Sequence, residues 1–151
     1  IKAVNKAIEK TLKGIDPNAY QSLLSIPGIG PVMAAGILSE IGHIDAFKNQ
    51  EALAKYAGLV WRENQSGNFQ ADDTPLSKAG NAYLRYYLIE ATSHVKNHCG
   101  EFAAFYQKKY DEVKIHQHKR ALALTARKFV RLIFGLLANH QLYSSDRVVQ
   151  A

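Results

Sequence analysis

SIPGIGPVMAAGIL, residues 25–38, holds two glycines on either side of one apolar residue, with a proline before them and another after them. Gly28 and Gly30 can adopt a positive φ at little cost, so they suit a tight turn. Pro27 favours extended backbone at the residue before it and therefore ends a helix, whereas Pro31 suits the first turn of the next one. The stretch predicts a helix, a tight turn and a second helix.

The second predicted helix begins with free backbone N–H groups. Such a terminus carries about half a positive charge and binds phosphate readily. Small glycines also let a nucleic-acid backbone come close. The stretch resembles the helix-hairpin-helix motif, a sequence-independent binder of DNA backbone, and this resemblance makes Gly28, Ile29, Gly30 and Val32 the predicted DNA contacts. An ordinary αα-hairpin with a Gly-Pro turn is the alternative.

Composition fits one intracellular domain with an anionic partner. The 151 residues are enough for a single core. The formal net charge of +6 and a pI of about 9.4 make nucleic acid the default partner. Cys99 is the single cysteine and cannot form an internal disulfide. Because the sequence has neither a signal-like start nor a run of about 18 apolar residues, we expect no membrane partner and a cytoplasmic location.

Helical spacing of apolar residues covers most of the chain and predicts an all-α domain. Asn49 is a suitable cap for a helix over about residues 50–56. The strongest pattern spans 119–140, with an apolar side and a basic side. Arg127 and Lys128 on the basic side either contact DNA or keep the helix soluble.

The chain divides into three parts at the sequence level. We expect the end of a linker helix, one domain and a frayed tail, at 1–20, 21–143 and 144–151. Since the sequence begins at Ile1 without a methionine and moves straight into helical spacing, we expect it to be a piece of a longer protein.

One long irregular segment, residues 58–75, interrupts the helices. Loops of this length inside compact domains are usually functional or disordered. A small β-hairpin fits part of the segment, with one strand at 59–61 and the other at 68–70, but it has too few strands for an independent sheet.

The string Ser-Lys-Ala-Gly-Asn after this segment predicts the start of another helix. Ser77 is its predicted N-cap. Lys78, Asn81 and Arg85 would then lie on the first two turns, with Lys78 and Arg85 on one face. They are candidate phosphate ligands, and the alternative is a solvated basic helix start.

Three strings occur in order along the chain: IPGIGPVMAAGIL at 26–38, YAGLVWRENQSG at 56–67 and LSKAGNAYLR at 76–85. Together they resemble the C-terminal transposase domain of the insertion-sequence family "one-ten", which is related to the Piv and MooV site-specific DNA invertases. The resemblance runs from about residue 23 to residue 143. It implies that DNA is the partner and that the domain takes part in strand cleavage and rejoining.

Part of what the resemblance implies lies outside this chain. Full-length members carry an N-terminal RuvC-like domain whose acidic residues hold Mg²⁺. We therefore expect no cofactor in this chain itself and no DNA cleavage by the isolated domain. Some members select DNA with a structured RNA, which makes a guide RNA a second candidate partner. Recombination on paired DNA ends implies a homo-oligomer in the active complex.

The resemblance also implies a serine nucleophile, and the position it falls on best is Ser66, with Ser77 as the rival. A serine hydroxyl is a poor nucleophile and needs a base, a metal or a phosphate polarised by cations. Arg62, Lys78 and Arg85 are cations within or after this segment, and they are predicted to neutralise the attacked phosphate. The alternatives are plain turn chemistry at Ser66 and a helix cap at Ser77.

No metal site is predicted in this chain. His94 and His98 are four residues apart in a helical pattern and Cys99 is adjacent. Cys99, however, points about 100° away from His98 on a helix, and no fourth ligand is suitably spaced.

The aromatic residues near the irregular segment allow a further use. Trp61, Tyr83 and Tyr86 could stack on unpaired bases, whereas Tyr87 is expected in the core. A non-catalytic helix-hairpin-helix DNA-binding module or an assembly module is the alternative to an enzyme domain.

Overall fold

The computed structural model describes residues 2–61, 65–66, 69–70 and 75–145. These residues form helices almost throughout, with one short hairpin and a 3₁₀ turn at Ile44–Ala46. The α-helices are α1 Lys2–Ile15, α2 Pro17–Leu24, α3 Pro31–Ile41, α4 Gln50–Tyr56, α5 Ala82–His98, α6 Gly100–Asp111 and α7 Gln117–Ala138, and the strands are β1 Gln65–Ser66 and β2 Phe69–Gln70. The all-α prediction is confirmed.

Helix starts follow local capping chemistry. The Asp16 carboxylate accepts a hydrogen bond from Ala19 N at 2.9 Å, so α2 begins at Pro17, earlier than the apolar pattern indicates. Asn49 Oδ1 accepts from Ala52 N at 2.9 Å and caps α4 as predicted. Gly30 is the N-cap of α3, and Pro31 occupies its first turn.

The core is built around α7, which packs against α6, α5, α4 and α2. Phe129 of α7 meets Phe102 of α6 edge to face, with ring centroids 5.9 Å apart. On the other side α3 crosses α5 closely, because Gly36 leaves a notch that the Tyr87 ring fills. Tyr87 therefore belongs to the packed part of α5, as expected.

The prediction that α5 begins near Ser77 is wrong. The helix begins at Ala82, and its N-cap is Asn81, whose Oδ1 accepts from Leu84 N at 2.9 Å. Lys78 and Gly80 have φ values of 52° and 138°, which a right-handed helix does not contain. Lys78 therefore lies before the helix and shares no helical face with Arg85.

The prediction of a small hairpin is confirmed, but its first strand was misplaced. Ser66 pairs with Phe69 and Gln65 with Gln70 in antiparallel register. Gly67 and Asn68 separate the paired residues, and Gly-Asn is a pair that suits a two-residue hairpin turn. Trp61, placed in the first strand by the sequence pattern, instead forms an isolated antiparallel bridge with Leu76.

Some predicted features lie outside the described residues. These are Arg62 and most of the expected tail, which begins at Ser144 in the prediction and is described only to Ser145. None of the described helices is long and apolar enough to cross a membrane.

Candidate functional site

The start of α5 is fastened to the end of α4 by a set of contacts that we call the clasp, formed by Tyr56, Ala57, Gly58, Gly80, Asn81 and Arg85. Asn81 makes several of the hydrogen bonds at this point. Its N–H donates to Tyr56 O at 2.6 Å. Its Nδ2 donates to Glu40 Oε2 at 2.8 Å and to Tyr56 Oη at 3.2 Å. The clasp thus joins α3, α4 and α5 at one point.

Two glycines make this close approach possible. A Cβ added at Gly80 would lie 2.3 Å from Tyr56 O, 2.9 Å from Gly58 N and 3.0 Å from Lys55 O. A Cβ at Gly58 would lie 2.6 Å from Arg85 Nη1 and 3.0 Å from Ala79 O. Both glycines also have positive φ. The two backbones therefore pack directly on each other, which only glycine allows at these positions.

The Arg85 guanidinium serves the clasp. Its Nη1 donates to Lys78 O at 2.9 Å and to Ala57 O at 3.2 Å. Carbonyls at a helix end and in a tight turn lack regular partners, and a charged donor satisfies two of them here. Arg85 was predicted to neutralise the attacked phosphate, but in the structure this nitrogen holds the backbone of the clasp.

The clasp closes the base of the segment that carries Ser66. Beyond it, Ser77 N donates to Val60 O at 2.7 Å, and Trp61 bridges to Leu76. The chain thus leaves and returns along one antiparallel path, and Ser66 follows in the β1–β2 hairpin. The two rival serines belong to different paired elements, because Ser77 bonds to Val60 and Ser66 pairs with Phe69.

Two lysines beside the clasp are exposed. Lys78 immediately precedes it, and Lys55 O lies next to Gly80. Within the described part of the chain, neither ammonium has a carboxylate in ion-pair distance. Lys55 was missed by the sequence analysis, which considered only cations inside or after the irregular segment. Its place directly before the YAGLVW string was the available signal.

The turn between α2 and α3 is only partly open. A Cβ added at Gly28, whose φ is 95°, would lie 3.0 Å from the backbone of His94 in α5. Ile29 is 7% exposed, and its N–H donates to Ile26 O at 3.1 Å. Gly28 therefore packs close to α5 and the Ile29 side chain belongs to the core, and their contact with DNA stays a prediction.

The open part of this turn is the N-terminus of α3. No atom lies within 4 Å of a Cβ built at Gly30, and Val32 is 50% exposed. Gly30 has no side chain to cap the helix. These two predicted DNA contacts remain accessible.

The predicted DNA contacts on α7 have acidic neighbours. Lys128 forms an ion pair with Glu101 and lies over the Phe105 ring, 4.9 Å from its centroid. Arg127 Nη2 lies 3.9 Å from Glu51 Oε1. Partial burial lowers the pKa of Arg127, against the opposing effect of Glu51. Both side chains therefore pack between α7 and the neighbouring helices.

Arg127 and Lys128 line a cavity of about 550 Å³ between α6, α7 and residues 141–144. None of the clasp residues lines it. The cavity is therefore separate from the clasp.

The histidines and the cysteine have other partners. His98 Nδ1 is 2.9 Å from His94 O, and Cys99 Sγ is 3.1 Å from Tyr143 Oη. Burial and the Cys99 contact raise the pKa of Tyr143 to about 12, so its phenol stays protonated at neutral pH. Among the described residues no group of three or more His, Cys, Asp or Glu could hold a metal ion.

Comparison with known proteins finds a matching family model and several related sequences. The family model described as "Transposase IS116/IS110/IS902 family" matches residues 20–107, which include α3 to α5 and the clasp. The chain is 30% identical over 147 residues to the transposase for insertion sequence element IS1111A of Coxiella burnetii, covering 95% of this chain and 37% of that protein.

Two Streptomyces proteins are also similar. The chain is 26% identical to the insertion element IS116 protein of Streptomyces clavuligerus, over 95% of this chain and 35% of the relative. It is 27% identical to the insertion element IS110 protein of Streptomyces coelicolor, over 82% of this chain and 30% of the relative. The chain thus spans about a third of the length of these curated relatives.

Proposed function

The chain belongs to the IS116/IS110/IS902 family of transposases, and we propose that it is the domain that brings the serine nucleophile, Ser66, to the DNA strand. In this proposal the domain binds DNA backbone, and an N-terminal domain acts with it in cleavage and rejoining. A guide RNA and a homo-oligomeric complex are further partners that the family resemblance implies.

The observation that supports the proposal is the contact between two of the sequence strings described above, 56–67 and 76–85. Tyr56, Ala57 and Gly58 from one string contact Gly80, Asn81 and Arg85 from the other. Their shared effect is to close the base of the segment that contains Ser66. A module that only binds DNA has no need to bring these two strings together.

Ser66 would act by attack of its hydroxyl oxygen on a scissile phosphate. A bond from this oxygen to phosphorus forms, the bond from phosphorus to the leaving strand oxygen breaks, and the proton released by the hydroxyl is balanced by one taken up, through solvent, by the leaving strand oxygen. Rejoining reverses these steps with a new strand oxygen. The attacked phosphate gains negative charge, which nearby cations stabilise.

Lys55 and Lys78 are the described residues best placed to supply that charge. Both are exposed beside the clasp, and Arg62 stays a candidate in the segment itself. Arg85 is assigned a positioning role, because its Nη1 binds two backbone carbonyls. Asn81 is likewise assigned to positioning, since its Nδ2 donates to Glu40 and Tyr56 and its N–H donates to Tyr56 O.

Removing both lysines should weaken DNA binding in a salt-dependent way. We expect the double variant Lys55→Ala/Lys78→Ala to reduce the slope of log affinity against log salt by about 1 for each phosphate that the protein no longer neutralises. Fluorescence anisotropy of labelled duplex DNA over a salt series measures the slope. Lys108→Ala, an exposed lysine of α6, is the control and should leave it unchanged. An unaltered slope in the double variant would contradict phosphate binding beside the clasp.

The N-terminus of α3 offers a second test, because helix stability and phosphate binding respond to charge in opposite ways. An acid in the first turn stabilises a helix by about 0.3–1 kcal/mol, but it repels phosphate. Val32→Asp should therefore unfold at equal or higher urea concentration and bind DNA more weakly. Val32→Asn, isosteric with the aspartate and neutral, is the control. Equal DNA affinity for the two variants would show that the N-terminus of α3 does not bind DNA phosphate.

The Mg²⁺ implied by the family resemblance has no fitting ligand group among the described residues. We propose that the N-terminal domain holds it, and we derive no step of the reaction through it here.

The division of labour between domains can be tested directly. Full-length protein with Mg²⁺ should cleave its DNA ends, whereas the 151-residue chain alone should bind DNA and leave it intact. The assay is a denaturing gel of end-labelled DNA. Cleavage by the purified chain alone would mean that its own residues complete the active site, and the proposed role would fail.

A further inference from the structure

One face of α7 lines the cavity between α6, α7 and residues 141–144. The α7 residues of the lining recur at intervals of three or four positions, from Leu124 to Leu136, so they lie on the same side of the helix. With a rise of about 1.5 Å per residue, this face extends for about 18 Å. The cavity is therefore an elongated groove along α7, and we call it the α7 groove.

The walls of the α7 groove are mostly apolar. Leu124, Leu132 and Leu136 line it from α7, and Phe105 lines it from α6. Leu142, which also lines the groove, is 61% exposed. An apolar cavity of about 550 Å³ that continues into an exposed leucine has the character of an interaction site.

The α7 groove also has an excess of positive charge. Arg127, Lys128 and Arg131 line it. Glu101 is the only acid among the lining residues, and it pairs with Lys128. Arg131 is exposed and donates from Nε to Gln50 Oε1 at 3.0 Å, but among the described residues it has no carboxylate in ion-pair distance. Burial lowers the pKa of Arg127, and the positive charge of Arg131 one turn away adds to that effect. The groove therefore favours an anionic group beside the two guanidiniums.

Gly135 lies on the same face of α7 and leaves open space. Among the described residues no atom lies within 4 Å of a Cβ built there, so no internal packing requires a glycine at this position. A glycine inside a helix is less favourable than an alanine, but it lets the backbone of another segment approach closely. The α7 groove is therefore open to a second helix along its length.

The combination of apolar walls and unpaired cations narrows the choice of occupant. A second copy of this face would bring the cations of two molecules together, which is unfavourable. Nucleic acid would neutralise the cations, but its sugar-phosphate backbone has no aliphatic groups to bury against the leucines. An acidic amphipathic helix supplies both carboxylates and apolar side chains, and binding of such a helix in a groove is a common mode of recognition.

The curated relatives extend far beyond the part that this chain matches, since the matched part is 30–37% of their length. We propose that the α7 groove binds an acidic amphipathic helix from the part of the full-length protein that lies outside these 151 residues. The inference rests on one element of the proposed function, that the chain acts together with a further domain. Apolar side chains of this helix would pack against Leu132 and Leu136, and its carboxylates would pair with Arg131 and Arg127.

Photo-crosslinking of the purified full-length protein tests the proposal. p-Benzoylphenylalanine is introduced in place of Leu142, and mass spectrometry after irradiation and digestion locates the linked peptide. We expect a peptide from outside residues 1–151, with acidic and apolar residues at helical spacing. The same probe in place of Ile115, which is 73% exposed and absent from the lining, is the control and should not link to that peptide.

Two variants examine the contacts themselves. Arg131→Glu should lower the yield of the crosslink at least about tenfold, because it places a carboxylate against the acidic helix, and an acid-to-lysine change in the linked peptide should restore it. Gly135→Leu should lower the yield similarly by filling the groove. Lys108→Glu, at an exposed lysine of α6 outside the lining, is the matched charge control and should leave the yield unchanged. Equal urea midpoints would establish that the variants are folded.

Several results would overturn the proposal: no crosslink from position 142, a crosslink to DNA, a crosslink to residues 1–151 of a second copy, or an undiminished yield in Arg131→Glu or Gly135→Leu. Failure of the proposed function has a different signature. Ser66→Ala should keep the crosslink, since the groove is intact. If position 142 gives no crosslink while Ser66→Ala abolishes strand cleavage, only the assignment of the α7 groove is wrong.

Discussion

Gly80→Ala is expected to destabilise the chain by about 3 kcal/mol or more, the range of backbone strain combined with overpacking. The added Cβ would lie 2.3 Å from Tyr56 O, a backbone atom that no rotamer change can move. The φ of 138° is unfavourable for any residue with a side chain. Urea unfolding followed by far-UV circular dichroism measures the change.

A second glycine provides the control for this prediction. Gly135 lies in α7, and nothing lies within 4 Å of a Cβ built there. Gly135→Ala should therefore stabilise the helix by about 0.5–1 kcal/mol, the ordinary glycine-to-alanine gain in a helix. If Gly80→Ala unfolds at the same urea concentration as the parent, the clasp does not have the geometry described.

Ser66→Ala in the full-length protein is expected to reduce recombination by at least about 10³-fold, as loss of a nucleophile does in other covalent enzymes. Alanine has no oxygen to form the bond to phosphorus. Affinity for DNA should be retained, because Ser66 carries no charge and does not neutralise phosphate. A plasmid recombination assay together with DNA-binding measurements gives both values.

Ser77→Ala is the matched control for the nucleophile. Its N–H bonds to Val60 O, and an alanine keeps that backbone hydrogen bond. Recombination should stay close to the parental rate. The reverse outcome, an active Ser66→Ala and an inactive Ser77→Ala, would identify Ser77 as the nucleophile.

Helix boundaries could be predicted where local chemistry decides them. Asn49 and the residues after it contain everything needed to cap α4, and that helix begins where predicted. The start of α5 is different, because Ser77 and Asn81 are both good caps. The choice is made by Gly80, which must pass against the end of α4, and no local pattern contains that contact.

The sequence predicted the types of residue in the candidate site better than it predicted the role of each residue. Arginine suits a phosphate and a pair of backbone carbonyls equally well, so the role of Arg85 depends on where α4 ends. Gly28 and Ile29 match a DNA-binding turn, but the sequence does not show that Gly28 packs close to α5 or that the Ile29 side chain joins the core. Lys55 became a candidate only when the structure placed its backbone beside Gly80.

The central claim, that Ser66 is the nucleophile, is tested most directly by locating the covalent bond to DNA. Full-length protein is incubated with a DNA end whose rejoining is blocked, then denatured, digested with nuclease and protease, and analysed by mass spectrometry. The account predicts a nucleotide phosphate on the peptide that contains Ser66, and none when Ser66 is alanine. A nucleotide on Ser77 or on another residue, or cleavage without any protein-linked nucleotide, would contradict it.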